Sequence, residues 1–213
     1  MVQTVAVIDY GSGNLHSVTK AIEHAGICRV IVTSDASSIR AADRVVLPGV
    51  GAMGDCMQGL KDRALDSVVL DLIGTKPLMA ICVGMQILAT YGEESSGVQA
   101  LGVFPGQITQ FSKSMKTEVG ASLKVPHMGW NEVIQQSHPM WSGIPDRTRF
   151  YFVHSYCYAD ASADCVIGRC EYGPTFAAAL ARQNVFAVQF HPEKSHDAGI
   201  HLYSNFLSWD GTC

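Results

Sequence analysis

Charge is scarce in this sequence: Asp, Glu, Lys and Arg together make up 16% of 213 residues, with a mild net charge of -4. No run of Lys or Arg follows a groove-like pattern, which argues against nucleic acid as the main partner. No C-x-x-C spacing occurs among the seven cysteines, at positions 28, 56, 82, 157, 165, 170 and 213. A zinc knuckle and a thioredoxin-type pair are therefore excluded. An odd number of scattered cysteines suits a reducing cytoplasm, where Cys mostly serves as a small buried hydrophobe. The apolar opening at residues 5–8 has no basic region before it. It is too short for a signal sequence or a membrane span, so no membrane partner is expected. Gly11-Ser12-Gly13 lacks a third spaced glycine and reads as a tight turn rather than a dinucleotide loop. His191, His196 and His201 recur every five residues and do not share a helical face, so they make a poor metal site. Neither a cofactor nor a metal is expected.

What the sequence does have is apolar residues, 47% of the chain. An α/β unit of this size buries about 70% of the surface its unfolded chain exposes, so disorder is excluded. No repeat, low-complexity tract or linker interrupts residues 1–213, and one domain over the whole chain is expected.

Strand and helix patterns alternate in the first half. Residues 5–8 read as a buried strand ending in the turn Asp9-Tyr10-Gly11-Ser12-Gly13. Asn14 is placed to cap a helix whose apolar face is Leu15, Val18, Ile22 and Ala25, with Gly26 as its stop. Strands follow at 30–32, 43–47 and 78–81, with a helix around 64–73. This alternation predicts an α/β fold with a mainly parallel central sheet flanked by helices. Shorter strands near 106–111, 131–134, 149–156, 165–170, 176–181 and 185–190 add a mixed or antiparallel part in the second half. A helix over 199–209 closes the chain.

Two stretches carry chemistry. Cys82 directly follows the apolar strand Leu78-Met79-Ala80-Ile81 and precedes Val83-Gly84-Met85-Gln86, which suits a helix. Strand, nucleophile and helix in that order form the Cys version of a nucleophile elbow. A free thiol ionises near pH 8.5, and a helix N-terminus typically contributes about 0.3–1 kcal/mol, so a histidine partner is needed. The second stretch is Val188-Gln189-Phe190-His191-Pro192-Glu193-Lys194-Ser195. With this segment extended, alternation points His191 and Glu193 the same way. Glu193 then holds one imidazole nitrogen while the other faces a thiol. Taken separately, Cys82 reads equally well as a buried core cysteine, and His191 as a turn histidine. Their occurrence in one chain favours the catalytic reading.

Pro48-Gly49-Val50-Gly51, Ile81-Cys82-Val83-Gly84-Met85-Gln86 and Phe190-His191-Pro192-Glu193 together resemble the class I, or triad, glutamine amidotransferases. Asp9 to Asn14, Pro126 to Asn131, Tyr151 to Tyr156 and Gln189 to Ser195 narrow the resemblance. They are similar to the glutaminase subunits of imidazole glycerol phosphate synthases, which serve histidine biosynthesis. The likeness spans Val5 to about Leu207, with Cys-Val-Gly in place of the usual Cys-Leu-Gly. It implies Cys82 as nucleophile, His191 as acid and base, and Glu193 as its orienter. It also implies an oxyanion hole from the backbone N–H groups of Val50 and Val83, and a glutamine site from Gly51, Gln86, Glu94, Ser155 and Tyr156. The implied partner is a (β/α)₈-barrel cyclase, bound as a heterodimer through Asn14, Trp130, Tyr151 and Lys194. Glycines on both sides of Val50 suggest that the Gly49–Val50 peptide rotates at low steric cost, presenting its carbonyl or its N–H to the hole. Rival readings are the same chemistry serving another synthase, a stand-alone Cys hydrolase with the same elbow, and a non-catalytic subunit. The last would be expected to lose Cys82 or His191, and both are present.

Overall fold

A computed structural model of the chain describes residues 2–112, 114–116 and 120–212; Cys213, counted above, lies outside them. The first half runs β1 (Gln3–Ile8), α1 (Leu15–Ala25), β2 (Cys28–Thr33), α2 (Ala36–Ala41), β3 (Arg44–Leu47), α3 (Met53–Asp62), α4 (Leu65–Leu72), β4 (Leu78–Ile81) and α5 (Val83–Gln86). The second half runs β5 (Tyr91–Gly92), β6 (Val98–Gln99), β7 (Gln107–Gln110), β8 (His127–Glu132), β9 (Ile134–Gln135), β10 (Arg149–His154), β11 (Tyr156–Tyr158), β12 (Val166–Glu171), β13 (Thr175–Arg182), β14 (Val185–Val188) and α6 (His196–Ser208).

The main sheet has the order β2-β1-β3-β4-β14-β13-β11-β7-β5-β6, with β12 bonded to β13 and to β9. From β2 to β14 the neighbours are parallel, and β13 reverses against β14. The central strands β3, β4 and β14 are buried at every position, as strands covered on both faces must be. The edge strand β2 alternates between half-buried and exposed positions. β8 and β10 pair antiparallel in a separate two-stranded sheet, with Tyr151 opposite Trp130. This is the expected α/β architecture with its antiparallel second half.

Parallel strands end at the same edge of a sheet, and ligands bind beyond their carboxyl ends. Here β1 runs out into the Asp9–Gly13 turn, β3 into Pro48–Gly51, β4 into Cys82 and β14 toward His191. Register places Ile81 opposite Val188 and Ala80 opposite Leu47, so these exits are level with one another. Four loops distant in sequence thus meet at one place.

Two helices escape the sequence pattern. The short α2 is announced by Asp35, whose carboxylate accepts from Ser38 N at 2.8 Å, an N-cap signal in a polar segment. Glycines at 54 and 59 obscure α3. A Cβ on Gly59 would come within 2.6 Å of Tyr10 O, so close helix packing requires glycine there. The expected ends of α1 need correction. Asn14 makes no side-chain cap bond. Gly26 is extended rather than left-handed, and its lack of a side chain leaves room for Leu207 Cδ1, 2.9 Å from where a Cβ would stand.

Candidate active site

Cys82 adopts φ 55° and ψ -111° between β4 and α5. Positive φ costs an L-residue about 1–2 kcal/mol and persists only where the surroundings enforce it. Here the Cys82 N–H is bonded to Val188 O at 2.8 Å. A Cβ on Gly84 would run into Leu47 O, so glycine is required two residues after the cysteine. The elbow expected from the sequence is present, and Cys82 is 4% exposed at its top.

His191 Nδ1 lies 2.8 Å from Glu193 Oε1, with 3% and 1% of the two side chains exposed. The reason differs from the expected alternation. Residues Pro192–Lys194 form one 3-10 turn, with His191 as its N-cap, so the carboxylate folds back onto the ring. The turn is seated firmly. Ser195 Oγ donates to His191 O at 2.6 Å and accepts from Tyr151 N at 3.0 Å. A Cβ on Gly199 of α6 would collide with Pro192 O. Burial pulls the His191 imidazole down, but hydrogen bonds to Cys82 and Glu193, with their negative charges, outweigh it and raise the ring from 6.5 to about 10. The ring and the sulfur line the same cavity, and the ring's affinity for a proton is raised there.

The oxyanion loop has a different disposition. Val83 N donates to Gly49 O at 3.3 Å, so a carbonyl occupies the place where an oxyanion would be received. Val50 N points to Ser12 Oγ at 3.3 Å, and Ser12 Oγ donates to Val50 O at 2.6 Å. Cys56 Sγ stands 3.5 Å from the same carbonyl. Of the two expected donors, the Val83 N–H is taken by Gly49 O and the Val50 N–H faces Ser12 Oγ.

A cavity of about 420 Å³ joins these parts, lined by Val50, Gly51, Cys82, Val83, Gln86, Glu94, Ser155, Tyr156 and His191 among others. All five expected glutamine-site residues border it. Gly51 sits at φ +85° in open space. Glu94 Oε2 accepts from Met53 N, the first residue of α3, at 2.5 Å. Gln86 is more committed than expected, because its Nε2 already donates to Tyr156 O and Gln189 Oε1, both at 3.0 Å. Only its Oε1 is left for a ligand.

Of the expected interface residues, Trp130 is 43% exposed and so is no core aromatic. Its ring stacks on His196 at 5.0 Å and meets Tyr151 edge-on at 6.1 Å. Lys194 Nζ lies 5.9 Å over the Tyr151 ring and also borders the cavity. Asn14 follows the turn that carries Ser12 and does not line the cavity.

Sequence reasoning gave no role to Gln189, Ser195 or Ser12. Gln189 had a readable signal. It is a polar residue inside the apolar run 185–190, fully buried, and such a group requires a partner.

The class-I glutamine amidotransferase family model matches residues 6–208. An imidazole glycerol phosphate synthase subunit HisH from Pseudomonas putida is 58% identical over 98% of this chain and 99% of its own length. A protein of the same name from Nitrosococcus oceani is 52% identical over 98% of each. A chain of the PurLQS structure from Thermotoga maritima shares the fold, with a TM-score of 0.72 at 19% identity over 98% and 99% of the two chains. A family match across nearly the whole sequence, on a fold that sets Cys82 and His191 on one cavity with Glu193 against the imidazole, has one meaning: this chain belongs to the class I glutamine amidotransferases.

Proposed function

We propose that the chain is the glutaminase subunit of an imidazole glycerol phosphate synthase, releasing ammonia from glutamine for a cyclase of histidine biosynthesis. The observation that carries this reading is the His191–Glu193 contact of 2.8 Å beside a cysteine held at positive φ. Full-length identity with relatives named as subunits of that synthase supports the choice of pathway.

The Cys82 thiolate attacks the side-chain amide carbon of glutamine, and the carbonyl electrons move onto oxygen. When that tetrahedral intermediate collapses, His191 gives its proton to the departing nitrogen, and ammonia leaves a γ-glutamyl thioester. His191 then takes a proton from water as the water attacks the thioester. Glutamate departs and the thiolate is restored. Glu193 keeps the imidazole oriented through Nδ1, leaving Nε2 for the sulfur, and offsets the charge that forms on the ring. Glu94 supplies a carboxylate for the α-ammonium group of the substrate, with Gly51, Gln86, Ser155 and Tyr156 around it.

The oxyanion needs two N–H donors, and the loop at Val50 offers one only after the Gly49–Val50 peptide turns over. A partner that favours the turned state switches hydrolysis on. The partner of this reading is a (β/α)₈-barrel cyclase, bound as a heterodimer in the cytoplasm over Asn14, Trp130, Tyr151 and Lys194. A closed path between the two is required, because free ammonia in neutral water becomes ammonium and loses its nucleophilicity. The test is glutamine hydrolysis by the chain alone, then with the purified cyclase and its ligand, with Cys82→Ala as control. Strong stimulation by that cyclase and not by other synthases is expected. High turnover without any partner would instead identify a stand-alone hydrolase.

A further inference from the structure

A second line of hydrogen bonds leaves the Cys82 sulfur through Gln189. Gln189 Nε2 lies 3.7 Å from the sulfur, and Gln189 Oε1 accepts from Gln86 Nε2 at 3.0 Å. Gln86 Nε2 also reaches Tyr156 O at 3.0 Å. That carbonyl is shared with His154 Nδ1 at 2.8 Å, and His154 Nε2 faces His127 Nδ1 at 3.0 Å. His127 Nε2 faces Asn131 Nδ2 at 3.3 Å, and the same amide donates to Glu171 O at 2.8 Å. Gln86, His127, His154 and Gln189 are all buried.

The direction of every donor follows from two fixed points. Backbone carbonyls only accept, so Tyr156 O places a proton on His154 Nδ1 and Glu171 O places an N–H of Asn131 outward. Burial keeps both imidazoles neutral, with His127 lowered to about 4 and His154 to about 3. Each ring then has one proton. His154 Nε2 accepts from His127 Nδ1, and His127 Nε2 accepts from Asn131. At the other end Gln86 presents N–H to both of its acceptors, which turns the oxygen of Gln189 toward Gln86 and its N–H toward sulfur. The reverse orientation would aim a carbonyl oxygen at an anion.

We infer that Gln189 is a positioning residue for the nucleophile, its amide N–H directing and stabilising the Cys82 thiolate, and that the Gln86–Tyr156–His154–His127 chain holds it there. His191 supplies the proton chemistry, and Gln189 supplies a neutral donor that never gives its proton up. The other titratable groups acting on the sulfur or facing it are His191, Tyr10 and Cys56, with Glu193 behind the imidazole. None of them is altered by changing Gln189. The inference rests on Cys82 as nucleophile, and only its kinetic arm rests on the glutaminase reading.

The test follows the rate of iodoacetamide alkylation of Cys82 against pH in the full-length chain, with Cys82→Ala subtracting the other thiols. Gln189→Met keeps the length of the side chain and removes the donor. It is expected to move the alkylation midpoint up by about one pH unit. Partner-stimulated kcat should fall about tenfold with KM within about twofold, because the donor acts on the nucleophile rather than on bound substrate. His154→Phe should shift the midpoint by about 0.3 unit, and that shift should vanish in the Gln189→Met background. An unmoved midpoint in Gln189→Met, or a His154→Phe shift that persists in the double variant, would overturn the inference. If Gln189→Met does not fold, the wild type still decides: alkylating Cys82 should displace the Gln189 side-chain amide resonance, and an unmoved resonance would overturn it. Alkylation results as expected from a chain that never hydrolyses glutamine would sink the glutaminase reading alone.

Discussion

Cys82 and His191, the latter backed by Glu193, share one cavity with Val50 and Gly51 of the Pro48–Gly51 loop, yet the two parts are held in opposite ways. The triad is built into the sheet edge. Its cysteine is bonded to β14, its histidine turn is pinned by Ser195 and Tyr151, and all three side chains are almost fully buried. The loop, by contrast, leaves Val50 39% exposed and secures it through one serine hydroxyl and a thiol contact. In the proposed reading one part is set for chemistry without a partner, while the other faces the wrong way. The difference teaches that this fold separates making a nucleophile from stabilising the intermediate. The second step is left to a peptide that turns at modest cost.

The comparison breaks most completely if the triad is dispensable. Cys82→Ala should abolish partner-stimulated glutamate release by at least about 10⁴-fold, with circular dichroism unchanged. Glu193→Gln should lower it by about 10²- to 10⁴-fold, since the imidazole loses its orienter. That variant also sharpens the electrostatic side. Folded His191 is raised from 6.5 to about 10, with burial opposed by Cys82 and Glu193. A raised histidine stabilises the fold fully below its unfolded value and loses that contribution as pH climbs through the folded one. The stability advantage of wild type over Glu193→Gln in urea unfolding should therefore be greatest at or below pH 6.5 and shrink toward pH 10. An advantage that grew with pH would contradict the assigned charge states.

Next in size is the proposed docking face. Trp130 stacks on His196 and stands beside Tyr151 and Lys194, outside the catalytic cavity's reacting atoms. Trp130→Ala should weaken cyclase binding about 30-fold in titration calorimetry, as loss of an aromatic anchor does. Hydrolysis by the chain alone should stay within about twofold. A large loss of unstimulated turnover would mean that the exposed sheet shapes the triad directly.

How much of this was legible beforehand divides along the same line. The parallel half was readable because β3, β4 and β14 bury both faces, and so β4, β14 and β3 after Arg44 appear as apolar runs. The elbow was readable because the same chain that sets a cysteine between such a strand and Val83-Gly84 also carries His191 and Glu193. The His191–Glu193 pair was found by an argument that does not hold: the segment coils into a 3-10 turn, and proximity comes from the turn rather than from alternation. The resting direction of the Gly49–Val50 peptide was not legible at all. It depends on Ser12, 38 residues away in sequence, and on strand exits that only register brings level. Nor could the sequence show that Gly49 is a poor handle on the switch. A Cβ there would stand 2.5 Å from Gly84 N and 2.8 Å from Tyr10 Oη, so replacing Gly49 damages the elbow along with the loop.

Ser12 gives a cleaner handle and the smallest expected effect. Its hydroxyl accepts from Val50 N of the Gly49–Val50 peptide and donates to Val50 O of the next one, so it favours the resting direction from both sides of Val50. Removing it with Ser12→Ala takes away about 1 kcal/mol of net hydrogen bonding from that state alone, which converts to a rise of about three- to tenfold in the partner-free rate. The rise stays well below the roughly 10²- to 10³-fold worth of a complete oxyanion donor, because Val83 N–H still has Gly49 O to satisfy it until the peptide turns. With cyclase and ligand bound the turned state already dominates, so the maximal rate should match wild type within about twofold. A partner-free rate that stays at the wild-type level would show that Ser12 does not hold the loop. An equal rise in both rates would place its effect on the triad, and the contrast between a finished nucleophile and an unfinished oxyanion hole would lose its physical basis.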